Sequence, residues 1–142
     1  MNHSKTPLLS AVAAYANEDV TCFDVPGHKR GHYLEELREL WGDMPLKMDI
    51  NSSKRVDNLS HPTGIISEAE KLVADAFGAD NAFMLVNGST SGVQYMLMSA
   101  LQEGDKVLLP RNVHKSAINA LILSGTKPVF IEPEIDTEYG IV

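Results

Sequence analysis

Six consecutive residues, Asn87-Gly88-Ser89-Thr90-Ser91-Gly92, carry the clearest chemical signal in the sequence. Their three hydroxyl side chains stand between an apolar run, FMLV, and a stretch with helical periodicity. The first N–H groups of a helix have no intrahelical acceptor and attract anions, and hydroxyl groups add further donors. The pattern therefore predicts a phosphate site at Ser89, Thr90 and Ser91. N-capping without a ligand explains one hydroxyl but not three.

This stretch differs from two common phosphate-binding motifs. No lysine follows the second glycine, so it is not a Walker A loop, and the spacing is not that of G-x-G-x-x-G. The identity of the phosphate carrier therefore has to come from other residues.

A second polar segment, PRNVHKSAIN, follows the apolar run KVLLP and contains Asn112, His114 and Lys115. Ligands of a parallel sheet bind outside the carboxyl ends of its strands, so these side chains are expected on the same rim as the hydroxyl residues. His114 could stack on a flat ring, donate a hydrogen bond, or only cap a helix. Lys115 could react with a carbonyl group if it were desolvated, whereas most lysines in the first turn of a helix are solvated.

The segment DVPGHKRGH is dense in turn-forming and titratable residues. His28 and His32 are four residues apart, which on a helix would place both on one face as metal ligands. The flanking glycines argue against a helix there, and no Cys-x-x-Cys or H-E-x-x-H motif supports a metal, so we predict no metal site. The roles of His28, Lys29 and His61, the last in the turn SHPTG, stay open.

Helices and strands alternate in the second half of the chain. Ser67 and Glu70 form a predicted capping box for a helix that Gly78 ends. NAFMLV is a predicted buried strand, and a helix follows it up to Gly104. KVLLP, a helix from about His114 to Ser124, and PVFIE complete the pattern. Alternation at these lengths predicts an α/β fold in which helices cover a parallel sheet whose short strands are buried on both faces.

The first half of the chain is less regular. Residues 1–66 are predicted to form an N-terminal helix, which begins near TPLL, a short helix around YLEELRELW, and an irregular arm. Residues 67–142 are predicted to be the first βαβ portion of a larger domain, with an incomplete sheet.

Composition excludes several classes of function. The formal net charge is −7, which argues against a nucleic acid or an anionic membrane surface as the main partner. No apolar run approaches the roughly 20 residues of a membrane span. The single cysteine, Cys22, has no internal partner for a disulfide, so a reducing, cytoplasmic setting is expected.

Taken together, these stretches resemble the prokaryotic ornithine/lysine/arginine decarboxylase family. These are pyridoxal-5′-phosphate (PLP) enzymes with the aspartate-aminotransferase fold, known as fold type I. The matching stretches run in order along nearly the whole chain: TPLLSAVAAYANEDVTCFDVPGHKRG, DNLSHPTGIISEAEKLVADAFGAD, FMLVNGSTSGVQ, GDKVLLPRNVHKSAINALILSG and PVFIEPEID. Ile65 stands where the family usually has proline, and Val93 where a polar residue is common; neither is a phosphate donor.

The resemblance implies a role for each candidate residue. The equivalent of NGSTSG holds the PLP phosphate, so this role falls to Ser89, Thr90 and Ser91, and His114 is expected to stack on the pyridine ring. The family's Schiff-base lysine lies in a later Ser-x-His-Lys segment, and the aspartate that pairs with the ring nitrogen also lies downstream. Neither Lys29 nor Lys115 is therefore assigned as that lysine.

The sequence thus predicts the N-terminal portion of a short-form, PLP-dependent decarboxylase of a basic amino acid, inactive on its own. The resemblance also implies a homodimer or a larger assembly of the full-length protein. Two alternatives stay open: another fold-type-I enzyme, such as an aminotransferase or a lyase, and a non-catalytic phosphate-ligand or assembly module. The sequence does not distinguish lysine, ornithine and arginine as substrates.

Overall fold

The computed structural model describes residues 1–142 and divides into two compact units, Met1–Met84 and Leu85–Val142. The helix over residues 65–77 lies in the first of these units, although most of it follows residue 66. The predicted division at residues 66 and 67 concerns the domains of a longer protein and stays a prediction. None of the helices combines the length and the apolar character that crossing a membrane requires.

The first unit contains four helices and a single 3-10 turn at Lys29–Gly31. The helices are α1 (Pro7–Ala16), α2 (Glu35–Trp41), α3 (Asp43–Met48) and α4 (Ile65–Phe77). The predicted N-terminal helix and the helix around YLEELRELW are confirmed, whereas α3 was not predicted. Helix α1 packs against α3 and α4, and the small core contains Ala16, Leu46, Val56, Ile66, Ala69 and Ala74.

The predicted capping box at the start of α4 is wrong. The helix begins at Ile65, so Ser67 lies inside it, and no side chain of the N-cap residue makes a capping bond. The carboxylate of Asp57 accepts hydrogen bonds from the N–H groups at the start of α4 instead. Its Oδ2 accepts from the N–H groups of Gly64 (2.8 Å) and Ile66 (3.0 Å), and its Oδ1 accepts from Thr63 (3.1 Å) and Asn58 (2.9 Å). Because this carboxylate satisfies the N–H groups ahead of Ser67, the helix starts earlier than predicted.

The end of α4 agrees with the prediction. Gly78 adopts the left-handed conformation (φ 64°, ψ 31°), which glycine enters without the steric cost of a Cβ.

The second unit is a βαβ unit preceded by a helix. Its elements are α5 (Gly88–Ala100), β1 (Lys106–Pro110), α6 (Lys115–Ser124) and β2 (Lys127–Ile131). Strands β1 and β2 pair in parallel, in the register Lys106 with Lys127 and Pro110 with Ile131, and α6 is the crossover. Helices α5 and α6 pack against each other, and the buried positions of α6 are Ser116, Ala117, Ala120 and Leu121. The predicted α/β class with a parallel sheet is confirmed.

Two predictions about the strands are wrong. NAFMLV is not a strand: residues 81–86 belong to no ladder, and Phe83 and Val86 are 77% and 55% exposed. An extended segment becomes a strand only when a neighbour supplies hydrogen-bond partners, and the sheet consists of β1 and β2 alone. The prediction that the strands are buried on both faces is also wrong. Every residue of β2 is exposed and β1 is half-buried at alternate positions, since a two-stranded sheet has no inner strand.

Candidate functional site

The chain enters α5 through a tight left-handed turn. Asn87 has φ 65° and ψ 20°, and Gly88 has φ 72°. Glycine adopts this conformation freely, and asparagine is among the few other residues that tolerate it. The turn reverses the chain sharply after Val86, so the first residues of α5 lie at the surface.

The first backbone N–H groups of α5 are open. Neither Asn87 nor any other side chain caps the helix, and the N–H groups of Gly88, Ser89 and Thr90 donate to no acceptor in the protein. The N–H groups at the starts of α4 and α6, by contrast, are occupied by Asp57 and His114. Three adjacent donors without acceptors thus lie at the positive end of a 13-residue helix, an arrangement that attracts anions.

The three hydroxyl residues divide into two groups. Ser89 and Thr90 are exposed, and their hydroxyls make no hydrogen bond within the protein. Ser91 is only 6% exposed, and its Oγ lies 2.5 Å from the Val86 carbonyl oxygen and 2.8 Å from that of Gly88. A hydroxyl donates one proton, so the hydroxyl of Ser91 is engaged by the backbone of the turn. The hydroxyls of Ser89 and Thr90 are thus exposed, and the hydroxyl of Ser91 stabilises the turn.

Gly92 completes this arrangement through close packing. A Cβ at this position would lie 2.6 Å from Cδ1 of Leu85, closer than real contacts allow. The missing side chain therefore lets Leu85 lie against the first turn of α5, where the Ser91 bonds also hold the preceding segment.

His114 is the N-cap of α6. Its Nδ1 accepts a hydrogen bond from the backbone N–H of Ser116 at 3.1 Å and lies 2.8 Å from the Ser116 hydroxyl. Because the amide donates to Nδ1, the proton of the neutral imidazole resides on Nε2. The cap fixes one edge of the ring, while the residue as a whole remains exposed. Of the three roles considered for His114, capping is therefore the one the structure shows.

We expect His114→Ala to lower the free energy of unfolding by about 1 kcal/mol, because the first turn of α6 loses its cap. His114→Asn should keep most of that stability, since asparagine is a good N-cap. Urea unfolding of both variants measures the difference, and Asn112→Ala, at an exposed residue of the same loop, is the matched control. Equal destabilisation by Ala and Asn would contradict a capping role.

Lys115 is the first residue of α6 and is exposed, and its ammonium group makes no hydrogen bond or ion pair. It is thus a solvated first-turn lysine, which agrees with leaving it unassigned.

The PGHKRG segment stabilises the first unit through hydrogen bonds of its side chains. The Arg30 guanidinium donates to the carbonyl oxygens of Tyr15 (3.1 Å), Ala16 (2.5 Å) and Glu18 (2.8 Å), so it caps the carboxyl end of α1. His28 uses both ring nitrogens: Nε2 lies 3.1 Å from Oδ2 of Asp49, and Nδ1 accepts from the N–H of Gly31. Lys29 donates to the Asp24 carbonyl oxygen.

Sequence reasoning missed the roles of Asp57 and Arg30. Each acts on backbone groups that are distant along the chain, nine residues for Asp57 with Ile66 and 15 for Arg30 with Tyr15. No local motif marks such bonds. The consecutive positive φ angles of Lys29 and Arg30 (49° and 61°) are likewise invisible in the sequence.

Comparison with known proteins gives matches to this chain in both sequence and structure. Residues 6–142 match the family model described as Orn/Lys/Arg decarboxylase, major domain. The chain is 45% identical over 138 residues to an arginine decarboxylase of Halalkalibacterium halodurans, and 42% identical over 142 residues to one of Bacillus anthracis. These alignments cover 96% and 99% of this chain but 28% and 29% of the relatives. The chain thus spans less than a third of their length.

A solved structure agrees with the sequence matches. The constitutive lysine decarboxylase of E. coli superimposes with a TM-score of 0.79 at 28% identity, over 96% of this chain and 20% of that one. More distant sequence matches are named ornithine decarboxylase (31% identical) and lysine decarboxylase (28%).

Proposed function

Because the chain belongs to the Orn/Lys/Arg decarboxylase family, we propose that it supplies the cofactor-phosphate site of a PLP-dependent decarboxylase of a basic amino acid. The observation that carries the proposal is the start of α5, where three N–H groups without acceptors lie beside two outward hydroxyls. The proposal includes the fold-type-I architecture for the longer protein.

The residues at the start of α5 fit a phosphate monoester. The N–H groups of Gly88, Ser89 and Thr90 and the hydroxyls of Ser89 and Thr90 provide up to five donors, and no carboxylate lies among residues 87–92. Charge-assisted hydrogen bonds from such donors are the usual means of holding a phosphate. Ser91 contributes by holding the turn through its bonds to Val86 and Gly88.

His114 has a proposed second role besides capping. With Nδ1 committed to Ser116, the imidazole is held in one orientation and one tautomer. A ring held in this way is suited to stacking on the flat pyridine of the cofactor. His114→Asn separates the two roles, since it preserves the cap and removes the ring.

PLP, when bound, accepts the electron pair that remains as the substrate carboxylate leaves as carbon dioxide. The residues of this chain anchor the phosphate and orient the ring, and they supply no group that reacts. Among the candidate substrates we propose arginine, because four relatives of 41–45% identity are named arginine decarboxylase. The relatives named for ornithine and lysine, and a biodegradative arginine decarboxylase of E. coli, are 28–31% identical. We also propose a cytoplasmic homodimer or larger assembly.

The proposal is tested by measuring carbon dioxide release from carboxyl-labelled arginine, lysine and ornithine. The complete gene product should release it, fastest from arginine, and should transfer no amino group to a 2-oxo acid, which excludes an aminotransferase. The 142-residue chain alone should release none, because the resemblance places the reactive lysine downstream. Release by the isolated chain, or amino-group transfer by the complete product, would contradict the proposal.

A further inference from the structure

A cleft lies in the first unit and is lined by none of the residues assigned so far to the cofactor. Its volume is about 580 Å³, and its walls are the segment 52–58 and the loop 61–65. Its lining contains basic and hydroxylic side chains together with an amide, an apolar side chain and one carboxylate: Ser52, Ser53, Lys54, Arg55, His61, Thr63, Asn58, Ile65 and Asp57. Two of the formally charged lining residues are basic and one is acidic, whereas the whole chain has a net charge of −7.

The donors of the cleft are largely uncommitted. The ammonium of Lys54, the ring of His61 and the hydroxyls of Ser52 and Thr63 make no hydrogen bond or ion pair within the protein, and all four residues are exposed. Arg55 is held by an ion pair with Glu18, which uses one end of its guanidinium and leaves further N–H groups available.

The carboxylate of Asp57 repels a bound anion less than a carboxylate without hydrogen bonds would. Asp57 accepts four backbone N–H groups, two on each oxygen, so its lone pairs and its charge are directed toward the backbone. The same four bonds tie the loop to the start of α4. One wall of the cleft is therefore formed before any ligand arrives, which lowers the ordering cost of binding.

We propose that this cleft binds the phosphate group of a small phosphorylated molecule, through residues other than those at the start of α5. Lys54 and Arg55 supply the charge, and His61 and the hydroxyls of Ser52 and Thr63 supply further donors. A tetrahedral oxyanion accepts hydrogen bonds from several directions, which suits donors that converge from two walls. The volume exceeds that of phosphate alone, so the rest of the ligand has room in the same cleft. The inference does not depend on the proposed decarboxylase activity.

The test is a titration of the purified chain with inorganic phosphate, followed through backbone amide resonances at constant ionic strength maintained with chloride. Saturable shifts are expected in residues 52–65. The double variant Lys54→Gln/His61→Gln should weaken the affinity about tenfold or more, because it removes one full charge and one ring donor. Lys71→Gln, which makes the same charge change at an exposed position of α4 outside the cleft, should leave the affinity unchanged.

Three results would overturn the proposal: no saturable shift in residues 52–65, an equal loss with Lys71→Gln, or unchanged affinity in the double variant. Shifts confined to residues 88–90 would also overturn it, while they would support the site at α5. Absence of phosphate binding in the cleft and absence of phosphate binding at the start of α5 are thus distinguished, because they are followed through the amide resonances of different residues. Far-ultraviolet circular dichroism checks that the variants, all at exposed positions, keep the native helix content.

Discussion

Replacing Asp57 by Asn will lower the melting temperature of the chain by several degrees, although the two side chains have nearly the same size. The carboxylate accepts four backbone N–H groups, from Asn58, Thr63, Gly64 and Ile66. An amide keeps one acceptor oxygen and turns an NH₂ group toward the other two donors, which leaves them unsatisfied at the start of α4. Asp80→Asn, at an exposed carboxylate without hydrogen bonds, is the matched control and should have little effect.

The contribution of Asp57 will depend on pH in a defined direction. Desolvation raises the pKa of this carboxyl, but the four backbone N–H bonds outweigh it and lower the pKa from 3.8 to about 2. A lowered pKa in the folded state means that the stabilisation is complete above the unfolded value of 3.8 and is lost as the pH falls toward about 2. Thermal melts of the wild type and Asp57→Asn between pH 7 and pH 2 measure this.

The difference between the two melting temperatures should be constant down to about pH 4 and then shrink, because the wild-type carboxyl becomes protonated. A difference that stays the same down to pH 2 would show that charge at Asp57 is irrelevant. A difference that is absent at pH 7 would show that the cap contributes nothing measurable.

The double variant Ser89→Ala/Thr90→Ala is expected to weaken PLP binding by the complete gene product about 100-fold, and each single variant about tenfold. The two hydroxyls are exposed and bond to nothing in the protein, so their removal costs hydrogen bonds to the phosphate and little else. A hydrogen bond to a charged group contributes about 1.5–3 kcal/mol, which corresponds to roughly tenfold or more in affinity. Equilibrium titration followed by cofactor absorbance gives the dissociation constants.

Two further serines serve as controls for this prediction. Ser99→Ala removes an exposed hydroxyl of the same helix that bonds to the Met96 carbonyl, and it should leave PLP affinity unchanged. Ser91→Ala should instead reduce the stability of the fold, because its hydroxyl holds the turn at Val86 and Gly88. Wild-type affinity in the double variant would mean that the phosphate does not bind at the start of α5.

Much of the local architecture follows from short-range signals. Helix periodicity predicted α1 and α4, and Gly78 and Gly125 mark helix ends because a left-handed residue there suits glycine. The βαβ alternation predicted the parallel pairing of β1 with β2. The order of the motifs pointed to the family that residues 6–142 match. The helices and their ends depend on neighbours within one or two helical turns, and the pairing and the family follow from the order of segments along the chain, so the sequence carries these features directly.

The details of the sites depended on contacts between distant residues. The three hydroxyls of NGSTSG look equivalent in sequence, yet the left-handed turn at Asn87 and Gly88 directs Ser91 inward and leaves Ser89 and Thr90 outside. FMLV looks like a strand but has no partner to pair with.

By itself, then, the sequence determined the fold class, the family and the segment that we propose binds phosphate. Only the tertiary structure decided which groups at these positions are free to bind. The physical reason is that each hydrogen-bonding group has few partners: Asp57 occupies the N–H groups at the start of α4, His114 occupies that of Ser116, and those at the start of α5 stay open. Which groups stay free is settled by distances in space, and spacing along the chain does not encode them.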